Sequence, residues 1–247
     1  MIRLVDVYKA FGDKRILTGF SLDIPDGETT VLLGYSGTGK SVTLKLIAGL
    51  FKPDSGLVEV DGQDLGDLDA AGLQAMRTRI GYVFQFAALF DSMSVEDNLK
   101  LGLRRQGLDE DEMRQRVTES LALVEMSGTE ARFPAELSGG MRKRVGIARA
   151  IALKPRYILY DEPTTGLDPV TSAIIDQLMI RTKRELGVTG IVVTHDMRSA
   201  YSVGDRIALL YEGAVRQVGT VAEIQETTDP IVRQFIEGRP DAEVAIS

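Results

Sequence analysis

The chain has 247 residues, 44% hydrophobic and 26% charged, which is the composition of a globular protein with one large domain or two small ones. The formal net charge of −7 argues against a general nucleic-acid-binding protein, which would normally be basic. The absence of cysteine excludes a disulfide scaffold, a zinc ribbon, an iron–sulfur centre and a thiol nucleophile. No apolar run approaches the roughly 18–20 residues that span a bilayer, so we expect any membrane association to depend on a partner.

The N-terminal third predicts a series of short strands. Residues 4–8 and 21–24 alternate between apolar and polar side chains, as half-buried strands do. Residues 30–33 form a short apolar run that is typical of a strand buried on both faces, and a glycine-rich segment and a helical pattern follow it. Residues 57–60 predict a further strand, and the polar sequence after them is interpreted as another strand and a loop.

The middle of the chain has a different character. Residues 80–84 predict one more strand, whereas residues 91–132 are mostly charged and compatible with helix. Four residues interrupt this helical pattern: Asn98, Gly102, Gly107 and Gly128. We interpret residues from about 86 to 135 as a helical subdomain.

An alternation of helices and strands resumes in the last part of the chain. Ser138 opens a predicted helix, and a second helix begins with Asp168 as its N-cap and ends at Gly187. Residues 157–160 and 191–193 predict buried strands. This alternation predicts an α/β fold with a mostly parallel sheet.

The predicted domain covers residues 1–238 and contains no internal repeat. Near its end, residues 207–211 and 214–218 flank a Glu-Gly turn and predict a hairpin. Residues 239–247 are interpreted as a loose tail.

Residues 34–41 read GYSGTGKS and fit the phosphate-loop pattern GxxxxGK[ST] between a predicted strand and a predicted helix. Such a loop points successive backbone N–H groups at phosphate oxygens, and the helix N-terminus adds positive potential. We expect Lys40 to reach the β- and γ-phosphates of ATP and Ser41 to ligate Mg²⁺. The predicted nucleotide-binding residues are Gly34, Tyr35, Ser36, Gly37, Thr38, Gly39, Lys40, Ser41 and Val42.

Two carboxylates, Asp161 and Glu162, follow the predicted strand at residues 157–160. Open α/β sheets place their ligands at the carboxyl ends of strands. Asp161 is therefore a candidate Mg²⁺ ligand, acting through water, and Glu162 is a candidate general base for the attacking water. The alternative is that both acids are merely solvated at a strand end.

The sequence resembles the ABC ATPase family over nearly its whole length. Residues 137–141, LSGGM, are similar to the signature motif of that family. The resemblance implies the ABC ATPase variant of the P-loop NTPase fold, with an N-terminal antiparallel β-subdomain and an inserted helical subdomain. It also implies a head-to-tail homodimer around two ATP molecules, in which Ser138, Gly139 and Gly140 of one subunit face the γ-phosphate held by the other.

Four further residues match motifs of the family in the expected order. By resemblance, Gln85 is the Q-loop residue that touches Mg²⁺ and senses the membrane subunit, and Asp168 belongs to the D-loop that communicates across the dimer. His195 is similar to the histidine that contacts the γ-phosphate and promotes hydrolysis together with Glu162, and Phe11 to the aromatic residue that stacks on adenine. The alternatives are a structural histidine and simple core packing of the phenylalanine.

The sequence departs from the family pattern at two positions. Met141 replaces the usual glutamine, so any hydrogen bond from that side chain is lost, and Val42 replaces the usual threonine, which removes a hydroxyl near the α-phosphate. The backbone N–H groups remain, and we expect nucleotide binding to survive. The neighbouring basic residues at 142–144 are interpreted as a solvated helix face.

Several segments resemble the ATPases of Mla/Mce-type lipid transporters, namely residues 41–42, 85–93, 137–144 and 229–238. This resemblance implies phospholipid movement between the inner and outer membranes of a Gram-negative envelope. It further implies a permease, an MCE-domain protein and a small STAS-domain protein as partners. The ATPase would then be a peripheral protein at the cytoplasmic face of the inner membrane.

Other functions stay open from the sequence. A metabolite importer or exporter ATPase would carry the same motifs, and so would a soluble assembly factor. A P-loop kinase or GTPase has no use for the LSGGM segment or for His195. The apolar residues at 86, 89, 90 and 93 suit either a groove for a permease helix or a subdomain core, and the helix predicted near residues 231–236 is a candidate contact with a neighbouring subunit.

Overall fold

A computed structural model describes residues 1–239. This part of the chain divides into two compact units, the first formed by Met1–Gly66 with the segment that starts at Thr194, and the second by Asp67–Val193. The predicted domain limits at 1–238 and the helical subdomain at about 86–135 stay predictions. The predicted tail lies, apart from Arg239, outside the described residues.

Ten strands and nine α-helices make up the regular structure of residues 1–239. In chain order they are β1 (Ile2–Phe11), β2 (Lys14–Ile24), β3 (Thr29–Leu33), α1 (Lys40–Ile47), β4 (Ser55–Val60), β5 (Gln63–Asp64), α2 (Ala70–Arg77), β6 (Ile80–Val83), α3 (Val95–Arg104), α4 (Glu110–Leu123), α5 (Gly139–Ala152), β7 (Tyr157–Asp161), α6 (Pro169–Leu186), β8 (Thr189–Thr194), α7 (Met197–Val203), β9 (Arg206–Tyr211), β10 (Ala214–Thr220), α8 (Val221–Gln225) and α9 (Pro230–Ile236). A short 3₁₀ helix at Pro134–Glu136 precedes α5.

The first unit contains the predicted antiparallel β-subdomain. Its four strands lie in the order β2-β1-β4-β5, and all three pairings are antiparallel. The register places Ile2 of β1 between Ile24 of β2 and Val60 of β4, and all three side chains are buried. The alternating apolar positions that predicted these strands therefore form the core face of the sheet.

The strand before the phosphate loop is also in the first unit. All five residues of β3 are buried, as the apolar run predicted, and β3 pairs in parallel with β9. The strands β9 and β10 form the predicted hairpin around the turn at residues 212–213. A buried parallel strand that leads into α1 holds the phosphate loop at its carboxyl end.

The second unit contains three parallel strands, with β7 between β6 and β8. Every residue of β7 and β8 is buried. Helix α6 begins at its N-cap Asp168 with Pro169 in the first turn and ends at Gly187, whose φ is 64°. The predicted start and end of this helix are confirmed, because the capping residues fix both.

Two parts of the sequence interpretation are wrong. The strand expected after residues 57–60 is present as β5, but the expected loop contains the helix α2, which begins after its N-cap Asp69. This helix has eight residues and buries only Met76, so it is too short to show a helical periodicity clearly. Asn98 and Gly102 lie inside α3 and do not interrupt it. The buried Asn98 amide bonds the preceding segment, and a Cβ on Gly102 would lie 2.8 Å from the Cδ2 of Leu153, so close packing explains the glycine.

Candidate functional site

The phosphate loop joins β3 to α1 in the first unit. Gly37 and Gly39 have φ values of 81° and 110°, a region that side chains other than glycine rarely adopt. A Cβ on Gly39 would also lie 2.8 Å from the Cγ2 of Ile16. Conformation and close approach therefore both require glycine at the N-cap of α1, where the backbone N–H groups at the helix start point outward.

Lys40 is buried and folds back over the loop that precedes it. Its Nζ donates to the carbonyl oxygens of Gly34, at 2.8 Å, and Tyr35, at 3.0 Å. The Thr38 hydroxyl donates to the Tyr35 carbonyl at 2.9 Å. The loop is thus closed by its own hydrogen bonds, with one cationic side chain inside it.

The other two predicted ligand contacts of the first unit are exposed. The Phe11 ring is 45% exposed and makes an edge contact with Phe51, with ring centroids 5.4 Å apart. His195 is exposed and follows the buried strand β8. Core packing therefore accounts for neither residue, and both side chains are accessible to a ligand.

In the second unit, Asp161 ends β7 and is 8% exposed. Its Oδ2 accepts a hydrogen bond from the Tyr82 hydroxyl at 3.0 Å. Burial raises the pKa of Tyr82 well above its ordinary value, and the neighbouring Asp161 carboxylate raises it further. Tyr82 therefore stays protonated and donates to Asp161, a role that the sequence analysis missed because it depends on strand register.

Glu162 has a left-handed backbone conformation with φ of 49°, which is unfavourable by roughly 1–2 kcal/mol for a residue with a Cβ. Its N–H donates to the carbonyl of Val193 at 2.9 Å. Its carboxylate Oε2 accepts from the Thr165 hydroxyl at 3.1 Å. The structure thus fixes both the backbone and the carboxylate of the predicted general base, as is common for strained residues at functional sites.

The interpretation of the basic cluster is wrong for one of its three residues. Arg142 is exposed, but Lys143 is only 7% exposed, and its Nζ donates to the backbone carbonyls of Gln85 and Glu162. Burial lowers the pKa of Lys143, and the charge of Glu162 partly offsets this effect. Lys143 lies three residues before Gly146 on α5, so the two residues share one face of the helix. This spacing is the sequence signal that could have indicated a buried Lys143.

The signature segment forms the start of α5. The Ser138 Oγ accepts from the Met141 N–H at 3.3 Å, which confirms the predicted cap. An open groove of about 380 Å³ lies beside this helix start. Its lining includes Ser138, Gly140, Met141, Arg144, Thr171 and Ile174. The Ser138 hydroxyl and the first amides of α5 thus border a groove with polar walls.

Asp168 caps α6 and accepts from the N–H groups of Val170 and Thr171, both at 3.0 Å. The Thr171 hydroxyl and these amides hold the pKa of Asp168 below its usual range. The negative charge at the start of an 18-residue helix is therefore stabilised by the helix itself.

The predicted residues are divided between the two units. Phe11, the loop at residues 34–42 and His195 belong to the first, whereas Gln85, the pair 161–162, the signature glycines and Asp168 belong to the second. Within the second unit, the Lys143 ammonium brings the Gln85 and Glu162 backbones together. The catalytic, nucleotide and metal roles of these residues stay predictions.

Comparison with known proteins gives consistent results. The family model described as ABC transporter matches residues 17–165. The chain is 42% identical over 247 residues to the probable ribonucleotide transport ATP-binding protein mkl of Mycobacterium leprae, covering all of this chain and 71% of that protein. It is 41% identical over 265 residues to the chloroplastic protein TRIGALACTOSYLDIACYLGLYCEROL 3 of Arabidopsis thaliana, covering 99% of this chain and 75% of that protein.

Among solved structures, the chain is similar to the dimeric post-hydrolysis state of the ATP-binding cassette MJ0796 bound to ADP and Pi. The TM-score is 0.81 at 36% identity, covering 90% of this chain and 99% of that one. This likeness confirms the predicted fold class.

Proposed function

We propose that this chain, which belongs to the ABC transporter family and is an ATPase coupled to transport, drives the movement of phospholipid between membranes of the cell envelope. The observation that carries the lipid assignment is the similarity to the Arabidopsis protein, which is named after a glycolipid. The segments that resemble Mla/Mce-type ATPases also point to a lipid, and that resemblance is the source of the phospholipid assignment. The proposed partners are an integral-membrane permease, an MCE-domain protein and a small STAS-domain protein.

The proposed nucleotide contacts begin with the phosphate loop. Lys40 binds the β- and γ-phosphates of ATP, and Phe11 stacks on adenine. Ser41, Gln85 and Asp161 are the proposed Mg²⁺ contacts, and their hydroxyl, amide and carboxylate oxygens are the donor types that Mg²⁺ prefers. The Tyr82 hydroxyl bonds one oxygen of Asp161 and orients the carboxylate. When bound, Mg²⁺ neutralises charge on the phosphate oxygens.

Hydrolysis in this proposal depends on Glu162 and His195. The Glu162 carboxylate accepts a proton from water as the water oxygen attacks the γ-phosphorus, and the bond to the β-phosphate oxygen breaks to give ADP and phosphate. The Thr165 hydroxyl, 3.1 Å from Oε2, holds the carboxylate in one orientation. His195 contacts the γ-phosphate, and Ser138 of a partner subunit in a head-to-tail homodimer caps the same group.

Replacing Glu162 with glutamine tests the general base. The variant should bind ATP and dimerise, whereas its turnover should fall by about 10²–10⁴-fold, the usual contribution of general-base catalysis. Turnover is measured as phosphate release, and binding with a fluorescent ATP analogue. Glu119→Gln, an exposed position on α4, is the matched control and should keep wild-type turnover. Wild-type turnover in Glu162→Gln would rule out Glu162 as the base.

The proposed permease contact includes the turn after β6. Phe86 is 82% exposed and Phe90 is 55% exposed, which favours a contact surface over a subdomain core for these two side chains. Within residues 1–239, no helix has the length and apolar character needed to cross a membrane. The proposed location is the cytoplasmic face of the inner membrane, reached through the permease.

Affinity purification from detergent-solubilised membranes tests the lipid assignment, with mass spectrometry of the co-purified proteins and lipids. A permease with an MCE-domain protein and bound phospholipid supports the proposal. A permease without these components contradicts lipid transport and favours a metabolite transporter, the second candidate, which the similarity to a ribonucleotide transport protein supports. The absence of any membrane partner would favour a soluble assembly factor.

A further inference from the structure

One face of α5 is attached to the turn that contains Gln85. The residues on this face, Lys143, Gly146 and Arg149, are spaced by three and therefore lie on one side of the helix. Lys143 donates to the Gln85 carbonyl, and the two terminal nitrogens of Arg149 donate to the carbonyls of Ala88, at 2.6 Å, and Ala87, at 2.7 Å. Two cationic side chains thus hold three backbone carbonyls of this turn.

Close packing supports the same attachment between these two cations. A Cβ on Gly146 would lie 3.2 Å from the Cβ of Ala87, so the glycine lets the helix approach the turn. Ala87 and Ala88 have φ values of 59° and 49°, which are unfavourable for alanine. The Arg149 guanidinium bonds to both of these residues and stabilises the unusual conformation.

Lys143 also joins two strands beyond the point where they pair. The parallel register between β6 and β7 ends at Val83 and Tyr160. Gln85 and Glu162 each lie two residues further along, and their carbonyls both accept from the Lys143 Nζ, that of Glu162 at 3.4 Å. The ammonium is therefore a direct hydrogen-bonded link between the Gln85 and Glu162 backbones.

We propose that Lys143 is a positioning residue, which fixes the backbone that carries the Glu162 carboxylate and transmits displacement of the Gln85 turn to it. This inference rests on the proposed role of Glu162 as the general base. A buried ammonium offers three donors and no acceptor, so two carbonyls in its reach become fixed relative to each other. A partner that moves the turn through the exposed Phe86 therefore also moves the backbone that carries Glu162.

Lys143→Met tests the proposal in the purified full chain. Methionine has nearly the same length but no donor, so α5 keeps its packing while the link is lost. We expect kcat for ATP hydrolysis to fall at least tenfold, with KM and the Kd for a fluorescent ATP analogue unchanged within about twofold. Lys100→Met is the matched control, because Lys100 is equally buried but bonds Glu96 and Glu110 on α3 and α4. It should keep wild-type kcat.

The double variant with Glu162→Gln separates a positioning role from a structural one. If Lys143 acts through Glu162, Lys143→Met should lower kcat no further in the Glu162→Gln background. A further tenfold loss there, or wild-type kcat in Lys143→Met alone, would overturn the inference. Wild-type kcat in Glu162→Gln would instead overturn the proposed role of Glu162 as the general base. If circular dichroism shows that the methionine variant does not fold, Lys143→Gln, which is too short to reach both carbonyls, must show the same loss of kcat at constant KM.

Discussion

At the scale of single residues, Asn98 shows how one buried amide shapes an exposed surface. Its side chain is fully buried in α3. The Oδ1 accepts from the Phe90 N–H at 2.7 Å, and the Nδ2 lies within hydrogen-bonding distance of the carbonyls of Phe90, Met93 and Ser94. One amide thereby ties together residues 90–94, the segment that presents the Phe90 ring.

Replacing Asn98 with alanine removes these bonds, including the acceptor of the part-buried Phe90 N–H. We expect the free energy of unfolding, measured by urea denaturation, to fall by about 1–3 kcal/mol, the usual effect of leaving a buried polar group unsatisfied. Gln115→Ala removes an exposed amide from α4 and should change it by less than about 0.5 kcal/mol. Equal stability of the two variants would contradict this account of Asn98.

The same scale shows which site residues the sequence can predict. The phosphate loop and the acidic pair at 161–162 are recognisable because their chemistry lies in a short contiguous pattern. The role of Lys143 is not recognisable in this way, because Gln85, whose carbonyl accepts from the Lys143 ammonium, lies 58 residues earlier in the chain. Tyr82 is likewise found only through its contact with Asp161, which lies 79 residues later in the chain.

At the scale of elements, α6 illustrates how a capping carboxylate links helix stability to pH. The pKa of Asp168 is lower in the folded chain than its ordinary value of 3.8, because the folded helix start donates hydrogen bonds to the ionised form. The folded state therefore binds this proton more weakly than the unfolded state does. The stabilisation by Asp168 is present above the unfolded pKa and is lost as the pH falls through the folded pKa.

Asp168→Ala should accordingly lower Tm at neutral pH, and its difference from the wild type should narrow as the pH falls below 3.8. Thermal unfolding followed by circular dichroism across this pH range measures both effects. Asp111→Ala, at a side chain that is 96% exposed on α4, is the control and should show a smaller difference at neutral pH. A Tm difference for Asp168→Ala that stays constant with pH would show that the ionised cap is not its cause.

Elements with strong caps or strong burial are the ones that the sequence predicts. Helix α6 has Asp168 at its start and Gly187 at its end, and β3 is apolar throughout, so each carries its own signal. Helix α2 has a cap but only eight residues, of which only Met76 is buried, so it is too short to show a helical periodicity clearly. The caps and the apolar run are local in the sequence, so they could be recognised in it. Asn98 and Gly102 stay within α3 because of contacts with other parts of the chain, which the sequence does not show.

At the scale of the whole molecule, the division into two units was not predictable from composition or motif order. The chain leaves the first unit after Gly66 and returns to it at Thr194. The Asp205 carboxylate then accepts from the Thr29 N–H at 2.6 Å, across 176 residues of sequence. Contacts of this range leave no local sequence pattern, although the alternation of strands and helices was sufficient to predict the α/β class.

The proposed head-to-tail homodimer makes a prediction about mixtures of two inactive variants. Each ATP is proposed to need Lys40 from one subunit and Ser138 from the other. Lys40→Ala and Ser138→Arg should therefore each hydrolyse ATP very slowly alone, whereas a mixed dimer contains one site with both residues intact. If sites act independently and subunits mix at random, an equimolar mixture should regain about a quarter of wild-type turnover.

Two affinity tags, one on each variant, allow the mixed dimer to be isolated before phosphate release is measured. Ser138→Arg should still bind ATP by itself, because its phosphate loop lies in the first unit and Ser138 in the second. Full turnover of Ser138→Arg alone would show that each subunit completes its own site. The mixed dimer could also be inactive although its Ser138→Arg subunit binds ATP. That result would show that one complete site is insufficient and that hydrolysis needs both sites intact.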